Sequence, residues 1–149
     1  MKKGKAFAQN KKASFDYQVI ETLEAGIELK GYEVKAIKTG RANLAGAFVV
    51  FEEGNAVLKG MEIQAYQPKN TPEDYDPKRK RRLLLNKKEI QKVLLDKEGQ
   101  GLTFIPISLY NNRNKVKVEL ALARRKKKQD KRESIKKREV KRRMDRYKR

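Results

Sequence analysis

Residues 102–123 read LTFIPISLYNNRNKVKVELALA, and this stretch decides the fold. If residues 102–110 form a strand, both of its faces are apolar, which predicts that the strand is well buried. Residues 111–114 are a cluster of turn-forming side chains. In residues 116–123 the large apolar side chains alternate with Lys, Glu and Ala, as in a half-buried strand. The stretch therefore predicts two strands joined by a turn, and with them a mainly β protein.

Further segments upstream also predict strands. Residues 15–29 are rich in β-branched and aromatic side chains, and we expect a bulge or bend at Gly26. Residues 49–51 and 56–58 are apolar and flank the sequence Glu-Glu-Gly-Asn, which predicts a hairpin with Gly-Asn at its turn. Residues 61–66 are predicted to form another strand.

Two short helices interrupt the predicted strands. Residues 32–38 carry Val and Ile three positions apart and end at Gly40. Residues 86–98 begin with an Asn cap, have Glu89 at the third helical position and end at Gly99. About six strands with two short helices predict a small, closed, antiparallel barrel. An OB-fold-like barrel is the favoured version, because barrels of that type bind nucleic acid on an open face.

Composition narrows the classes of function. The chain has 149 residues, with 39 Lys and Arg against 19 Asp and Glu, and its formal net charge is +20. It has neither Cys nor His, which excludes disulfides, thiolate zinc sites, Cys nucleophiles and the usual general base near neutral pH. We therefore expect no enzyme, no cofactor and no metal, and a polyanionic partner. No apolar run approaches the roughly 20 residues of a membrane span. No apolar region follows residues 1–5 as in a secretory signal, so we expect a cytoplasmic protein.

The positive charge is concentrated at one end of the chain. Residues 124–149 contain 16 basic and 4 acidic residues, a net charge of +12, and residues 1–123 carry the remaining +8. This tail has few large apolar side chains, so it cannot bury enough surface to offset its ordering entropy. We expect a folded body over residues 1–123 and a tail over 124–149 that is disordered when free.

The tail nevertheless has the sequence pattern of a helix. Asp130 is a predicted cap with Glu133 three residues on. Two pairs, Glu133 with Lys137 and Glu139 with Arg143, have the favourable order and spacing, and three apolar residues fall on one face: Val140, Met144 and Tyr147. We expect the tail to become helical against an anionic surface.

A basic run is the first candidate for RNA contacts. Residues 67–82 read as a long exposed loop that ends in five successive cations at 78–82. Such cations suit phosphate contacts, and Arg79, Arg81 and Arg82 offer bidentate geometry to phosphate. The alternative, on this run alone equally supported, is a solvated loop that leads into the apolar residues 83–85.

Two other groups are candidates. Asn10, Lys11 and Lys12 precede the first long strand, and their simplest interpretation is a mobile basic terminus. Glu21 and Glu24 lie beside Gly26, where a carboxylate can accept hydrogen bonds from base amino groups or ribose hydroxyls. From the residues alone, a salt bridge to a nearby Lys or Arg is the commoner role for them, and a metal-binding pair is a further alternative.

Several blocks in a fixed order carry a resemblance to a known family. They are residues 10–13 (NKKA), 17–20 (YQVI), 24–35 (EAGIELKGYEVK), 40–44 (GRANL), 76–85 (DPKRKRRLLL), 108–110 (SLY), 116–119 (VKVE), 130–132 (DKR) and 135–139 (IKKRE). Over nearly its whole length the chain resembles the small protein B (SmpB) family, the bacterial partners of transfer-messenger RNA (tmRNA).

The resemblance implies an OB-fold barrel that clasps the tRNA-like domain of tmRNA and delivers it to stalled ribosomes, with one protein monomer per tmRNA and no membrane. It also implies that the tail becomes helical in the decoding centre and mRNA channel of the small ribosomal subunit. There, during trans-translation, the tail stands in for the missing codon–anticodon helix. By motif position, the resemblance places Asn10, Glu24 and Leu84 on the RNA-binding face. Together with the basic candidates, the predicted tmRNA-binding residues are Asn10, Lys11, Lys12, Glu24, Arg41, Arg79, Arg81, Arg82 and Leu84. The resemblance also places Lys131, Arg132 and Ile135 in the decoding-centre segment. The predicted ribosome-binding residues of the tail are Lys126, Lys127, Gln129, Asp130, Lys131, Arg132, Ile135, Lys136 and Arg138.

The chain departs from the family pattern at Arg125, where Gly is usual, and at Gln129, where many members have His. It departs again at Leu95, where Gly is usual, and over residues 96–100. Two other functions remain open at this point: a structural ribosomal protein whose basic tail threads ribosomal RNA, and a metal-dependent nuclease that uses Glu21 and Glu24.

Overall fold

The computed structural model describes residues 5–91 and 101–147, in which strands predominate. The strands are β1 (Ala6–Gln9), β2 (Tyr17–Ile27), β3 (Ala42–Asn43), β4 (Phe48–Glu52), β5 (Asn55–Lys59), β6 (Glu62–Ile63), β7 (Arg81–Leu84), β8 (Leu102–Asn112) and β9 (Lys115–Arg125). The helices are α1 (Ala13–Asp16), α2 (Gly31–Lys38), α3 (residues 87–91) and α4 (Lys128–Tyr147), with one 3-10 turn at Pro68–Asn70.

Seven strands form one antiparallel sheet in the order β1-β8-β9-β2-β7-β5-β4, and β3 pairs with β6 in a separate ribbon. The sheet curls until β4, at one end, contacts β8, the neighbour of the strand at the other end. The mainly β, barrel-like class is confirmed. The described residues contain nine strands where about six were predicted, because short pairings such as β3 with β6 leave little pattern in a sequence.

The hairpin of β8 and β9 is the longest element of the sheet. Its register runs from Leu102 opposite Arg124 to Asn112 opposite Lys115. Both residues of the turn, 113 and 114, have positive φ, of 52° and 63°, as a two-residue turn of the favoured hand requires. The two strands and the turn predicted here are confirmed, with the turn two residues shorter than expected.

The core lies inside the curled sheet. Leu58, Met61, Ile63, Leu109 and Leu120 are fully buried there, together with Ile37 from α2. A second, smaller cluster on the other face of β8 and β9 contains Ala13, Ile105, Ala121 and Ala123. Strand β9 is therefore buried on both faces at its far end, whereas its alternation predicted burial on one.

Two details of the segment at residues 15–29 were predicted wrongly. Its first residues belong to α1, because the backbone N–H groups of Phe15 and Asp16 bond to the Lys12 carbonyl, and the strand begins at Tyr17. The irregularity in β2 lies between residues 19 and 21, not at Gly26. Gly26 is paired in register, and a Cβ added there would come within 3.1 Å of the Leu84 Cβ, so this glycine permits the close approach of β7.

Two other strand predictions need correction. The hairpin of β4 and β5 is confirmed, but its turn is Glu53-Gly54, with φ of 52° and 77°, because Asn55 already pairs with Glu52. The strand predicted over residues 61–66 is only the two residues of β6, because its partner β3 is itself two residues long.

The predicted cap of α3 is confirmed. The Glu89 N–H donates to Asn86 Oδ1 at 2.8 Å, and the Asn86 N–H donates to Glu89 Oε1 at 3.0 Å. This reciprocal pair satisfies two donors that a helix start leaves open. The rest of the predicted helix at 86–98, its end at Gly99, and the unusual Leu95 and 96–100 lie outside the described residues.

The tail forms a helix over Lys128–Tyr147, as its sequence pattern predicted. Asp130 is the third residue of α4 and not its cap, because the helix starts two residues earlier. Strand β9 runs to Arg125, two residues past the predicted end of the body at 123. Disorder of the free tail in solution stays a prediction.

Candidate nucleic-acid interface

The outer surface of β8, β9, β2 and β7 brings side chains from four strands into rows. Directly paired residues point to the same side of a sheet. One such row is Tyr110, Lys117, Gly26 and Leu84, and its neighbour is Ser108, Glu119 and Glu24. We call the surface formed by these two rows and Asn112, with Arg82 and Asn10 at its edges, the four-strand face.

Glu24 is held firmly on the four-strand face. Its Oε2 accepts a short hydrogen bond from the Tyr110 hydroxyl, and Asn112 Nδ2 donates to both carboxylate oxygens at 3.2 and 3.3 Å. Tyr110 is buried, and this burial, together with the hydrogen bond and the charge of Glu24, raises the pKa of its hydroxyl well above the usual range. A hydroxyl and an amide hold this carboxylate, whereas the commoner arrangement would be a salt bridge to Lys or Arg.

Leu84 projects from the same face with 49% of its surface exposed, although it is a large apolar residue. It lies against the backbone of Gly26, and a groove of about 300 Å³ beside it is lined by Leu29, Val34 and Lys117. Arg82, two residues away on β7, is also exposed, and its Nη1 is 3.8 Å from a Glu28 carboxylate oxygen. An exposed apolar side chain with cations around it suits contact with a base or ribose.

Asn10 lies at the end of β1, beside the four-strand face. Its backbone N–H donates to the Ile107 carbonyl at 2.7 Å, and its Nδ2 donates to the Pro106 carbonyl at 3.1 Å. With Lys11, Tyr110 and others it lines a groove of about 400 Å³. Asn10, Glu24 and Leu84 are therefore brought to one continuous surface, and Lys11 and Lys12 are exposed at its margin.

Arg81 is not available to RNA, and its predicted phosphate contact is wrong. It lies in β7, not in a loop, and is fully buried. Its Nε and Nη2 donate to Glu33 Oε2 at 3.0 and 2.6 Å, and its Nη1 donates to the Met61 carbonyl at 2.7 Å. Glu33 is also fully buried, and a buried carboxylate needs such partners.

Arg79 shares the same carboxylate. It donates from Nε to Glu33 Oε2 at 3.1 Å and from Nη2 to Oε1. Burial alone would raise the pKa of Glu33, but hydrogen bonds from Arg79, the Lys30 backbone and Arg81 outweigh it and hold that pKa below its usual range. The Tyr75 hydroxyl accepts from Arg81 Nη2 at 3.0 Å, and burial beside Glu33 raises its pKa to about 12. We call these residues the Glu33 network.

The remaining cations of the run at 78–82 face solvent. Lys78 and Lys80 are exposed, and Lys80 Nζ pairs with Glu52 at 2.9 Å. Arg41 is exposed near the β3–β6 ribbon, where its guanidinium carbon lies 5.7 Å from the centre of the Tyr66 ring. The predicted cations thus occupy several surfaces, and only Arg82 shares the four-strand face through its strand.

The tail helix contacts the body at α1. The Lys126 N–H donates to the Asp16 carbonyl at 2.8 Å, and the Arg138 guanidinium carbon lies 5.8 Å from the centre of the Phe15 ring. The other predicted tail residues take these places: Lys127 precedes α4; Gln129, Asp130 and Lys131 are in its first turn; Arg132, Ile135 and Lys136 are exposed along it.

Nothing in the described part of the chain favours a nuclease. Residues 5–91 and 101–147 contain no cluster of three or more Asp and Glu that would hold a metal ion. Glu21 and Glu24 are three apart on β2, so they point to opposite faces of the sheet and do not converge. Among the same residues, no helix has both the length and the apolar character needed to cross a membrane.

Comparison with known proteins supplies the family. A family model described as SmpB protein matches residues 7–149. The chain belongs to the SmpB family. Curated relatives in this family are named SsrA-binding protein. The one from Thermosipho africanus (strain TCF52B) is 49% identical over 96% of each chain, and the one from Geobacillus kaustophilus (strain HTA426) is 46% identical over 96% of this chain and 92% of that one.

A solved structure agrees with this assignment. It is described as "tmRNA-SmpB: a journey to the center of the bacterial ribosome", and its matching chain is 41% identical, with a TM-score of 0.66. The match covers 85% of this chain and 92% of that SmpB chain. The resemblance seen in the sequence is therefore confirmed at the level of the family and of the fold.

Sequence reasoning missed the residues that hold the predicted ones. Tyr110 and Asn112 orient Glu24, and Glu33 binds two of the predicted arginines. The period of two along β8 places Tyr110 and Asn112 on one face, which was a readable signal, but the register that brings them to Glu24 was not.

Proposed function

We propose that this SmpB-family chain binds the tRNA-like domain of tmRNA through the four-strand face and delivers it to stalled ribosomes for trans-translation. The observation that carries the proposal is the convergence of Asn10, Glu24 and Leu84 on that face. Relatives nearly half identical over almost the whole chain bear the name SsrA-binding protein, which supports tmRNA as the RNA.

Both charge and shape contribute to RNA binding on this face. Exposed cations such as Lys11, Lys12 and Arg82 contact phosphates and supply most of the affinity without reading sequence. Glu24 would repel a phosphate, so its place on an RNA-binding face makes sense only as an acceptor for a donor group of the RNA. The basic residues give attraction, and the carboxylate with Leu84 gives selectivity.

The tail acts at a second place, on the ribosome. Lys128–Tyr147 is a basic helix that carries exposed apolar side chains, including Ile135, Val140 and Met144. In the small-subunit decoding centre and mRNA channel this helix takes the place of the missing codon–anticodon pairing. The solved relative whose description joins tmRNA, SmpB and the ribosome supports this placement. The role is that of an adaptor in the cytoplasm, in which the chain makes and breaks no bond.

Binding to a defined RNA tests the proposal. We expect a transcript of the tRNA-like domain to bind at least tenfold more tightly than an unrelated hairpin of equal length, at equal salt. Glu24→Ala should weaken this binding even though it raises the net charge. If Glu24→Ala tightens binding to both RNAs equally, Glu24 is no specific contact and the proposed face is wrong.

Sedimentation separates the adaptor from a structural ribosomal protein. An adaptor is substoichiometric and enriched on ribosomes stalled on truncated messages, and its enrichment requires tmRNA. A structural ribosomal protein accompanies every ribosome in a one-to-one ratio. A one-to-one ratio that persists in cells without tmRNA would contradict the adaptor role.

A further inference from the structure

The carboxylate of Glu24 is exposed, yet it is not free to rotate. A glutamate on a strand surface normally samples several rotamers, which costs entropy when a ligand fixes one of them. Here three hydrogen bonds from Tyr110 and Asn112 already hold both oxygens. A carboxylate has about four acceptor positions, so this arrangement leaves room for a further donor from outside.

The two donors come from a rigid part of the molecule. Tyr110 is 1% exposed and Asn112 is the last residue of β8, directly before the tight turn into β9. Strand β2 brings Glu24 to them through its pairing with β9. The hydroxyl and the amide therefore stand at fixed positions on a sheet, which gives better precision than a loop would.

We propose that Tyr110 and Asn112 are positioning residues that hold Glu24 as a preorganised acceptor for one N–H or O–H donor of the bound RNA. This inference rests on the proposed function, because it assigns to Tyr110 and Asn112 a role in selectivity for the tRNA-like domain. The donor is either a base amino or imino group or a ribose 2′-hydroxyl, which share the same hydrogen-bond chemistry.

The alternative is that Tyr110 and Asn112 only stabilise the sheet. Tyr75 offers a matched control for this alternative, since its hydroxyl also contacts a buried glutamate, Glu33, in a network that lies off the four-strand face. Tyr75→Phe and Tyr110→Phe each remove one tyrosine hydroxyl beside a carboxylate. Loss of thermal stability is expected for both, whereas loss of RNA selectivity is expected only for Tyr110→Phe.

A double-mutant cycle with the full chain and a transcript of the tRNA-like domain tests the inference. We expect Tyr110→Phe to weaken binding about three- to tenfold, as for one lost hydrogen bond of ordinary strength, and to leave the slope of affinity against salt unchanged. In a Glu24→Gln background the same change should add little, because both act through one contact. Additive effects of the two changes would overturn the positioning role.

Interference mapping of the RNA identifies the donor. Pools of the transcript are used in which each class of donor is removed in turn: scattered 2′-deoxynucleotides remove ribose hydroxyls, and scattered base analogues, such as inosine in place of guanosine, remove base amino or imino donors. A substitution that removes the donor should reduce binding to the unaltered protein and should have no effect with Glu24→Gln or Tyr110→Phe. Interference in the deoxy pool assigns a ribose hydroxyl, and interference in a base-analogue pool assigns a base amino or imino group.

Asn112→Ala is the second variant if Tyr110→Phe does not fold, because Asn112 lies at the end of β8 and is only half-buried. It should show the same coupling to Glu24→Gln. An identical interference pattern in the variants and the unaltered chain would overturn the inference while the preference for the tRNA-like domain stands. Loss of that preference in the unaltered chain would instead refute the proposed function.

Discussion

Arg81 and Glu33 form an ion pair in which both side chains are fully buried, with 2.6 Å between Nη2 and Oε2. Arg81 belongs to the most basic run of the body, yet its charge is used inside the protein. The pair joins β7 to α2 and fixes the start of the strand that carries Leu84. The basic run is therefore used partly inside the protein, and only partly at its surface.

Removal of Arg81 is expected to destabilise the protein strongly. Arg81→Leu leaves the buried Glu33 with Arg79 as its remaining cation, and breaking one side of such a pair typically costs about 3–5 kcal/mol. Denaturant unfolding measures the change. Arg82→Leu is the matched control on the neighbouring, exposed position, and it should alter stability by less than about 0.5 kcal/mol. Equal effects of the two variants would contradict the network.

The Glu33 network also predicts an acid-dependent loss of stability. The pKa of Glu33 is lowered in the folded protein, so the unfolded chain takes up its proton first as the pH falls. The contribution to stability is fully present above the ordinary value of 4.5 and is lost as the pH falls through the lower folded value. We expect Glu33→Gln to be less stable at pH 7 and to show a flatter decline between pH 5 and pH 3, as measured by urea unfolding.

Glu52→Gln is the control for this pH dependence. Hydrogen bonds from Lys59 and Lys80 lower the pKa of Glu52 as well, but Glu52 lies at the surface, where water screens the pairs. Its removal should leave the decline with pH close to that of the unaltered chain. A flatter decline with Glu52→Gln than with Glu33→Gln would place the acid sensitivity at the surface.

The sequence predicts this network poorly, for a physical reason. Period-two patterns identify the long strands β8 and β9 because each residue's face follows from its position along the strand. The partner of Arg81, however, lies 48 positions earlier, in α2, and no local pattern encodes a contact at that separation. Five successive cations resemble a phosphate-binding loop whether or not one of them is buried against a glutamate.

The candidate RNA-binding residues were easier to find in the sequence than the residues that hold them in place. Asn10, Glu24 and Leu84 were identified through the family resemblance and do share one surface. The prediction also included Arg81, because residue type alone does not separate a cation that binds RNA from one that holds the fold. Burial sets Arg81 apart, and this burial follows from the register of β7 with β5.

Gly26 is predicted to be needed for the shape of the four-strand face. An added Cβ would lie 3.1 Å from the Leu84 Cβ, so Gly26→Ala must displace Leu84 by a few tenths of an ångström. We expect it to weaken binding of the tRNA-like domain about three- to tenfold, with a stability loss of about 1 kcal/mol from the crowding. Gly31→Ala is the control, because an added Cβ there meets nothing within 4 Å. That variant should bind RNA normally.

Phosphate contacts predict how binding responds to salt. With about six contacts, log affinity should fall against log salt with a slope of roughly −4 to −5.4. Arg82→Gln should reduce the magnitude of the slope by about 1, because it removes an exposed cation of the face. Arg41→Gln is the variant with which Arg82→Gln is compared, because it removes an exposed cation from another surface of the body. A slope near zero for the unaltered chain would refute the electrostatic account.

The tail prediction separates the two activities of the chain. Strand β9 ends at Arg125 and α4 begins at Lys128, so truncation after Lys127 keeps every strand and removes only the helix. We expect the truncated protein to stay folded and to bind the tRNA-like domain with only modestly lower affinity, because the four-strand face is intact. Rescue of ribosomes stalled on a truncated message should be lost, because nothing then fills the empty decoding centre.

A milder change tests whether the helix does more than supply charge. Ile135→Ala combined with Val140→Ala removes two exposed apolar side chains of α4 and leaves its charge unchanged. Alanine favours helix, so the change should not unfold the segment, and circular dichroism of the isolated tail, with and without an anion, checks this. Affinity for tmRNA should hold while the rate of peptide tagging on stalled ribosomes falls, since apolar contacts with the ribosome are lost. Normal tagging by the double variant and by the truncated protein would show that the tail is only an electrostatic tether.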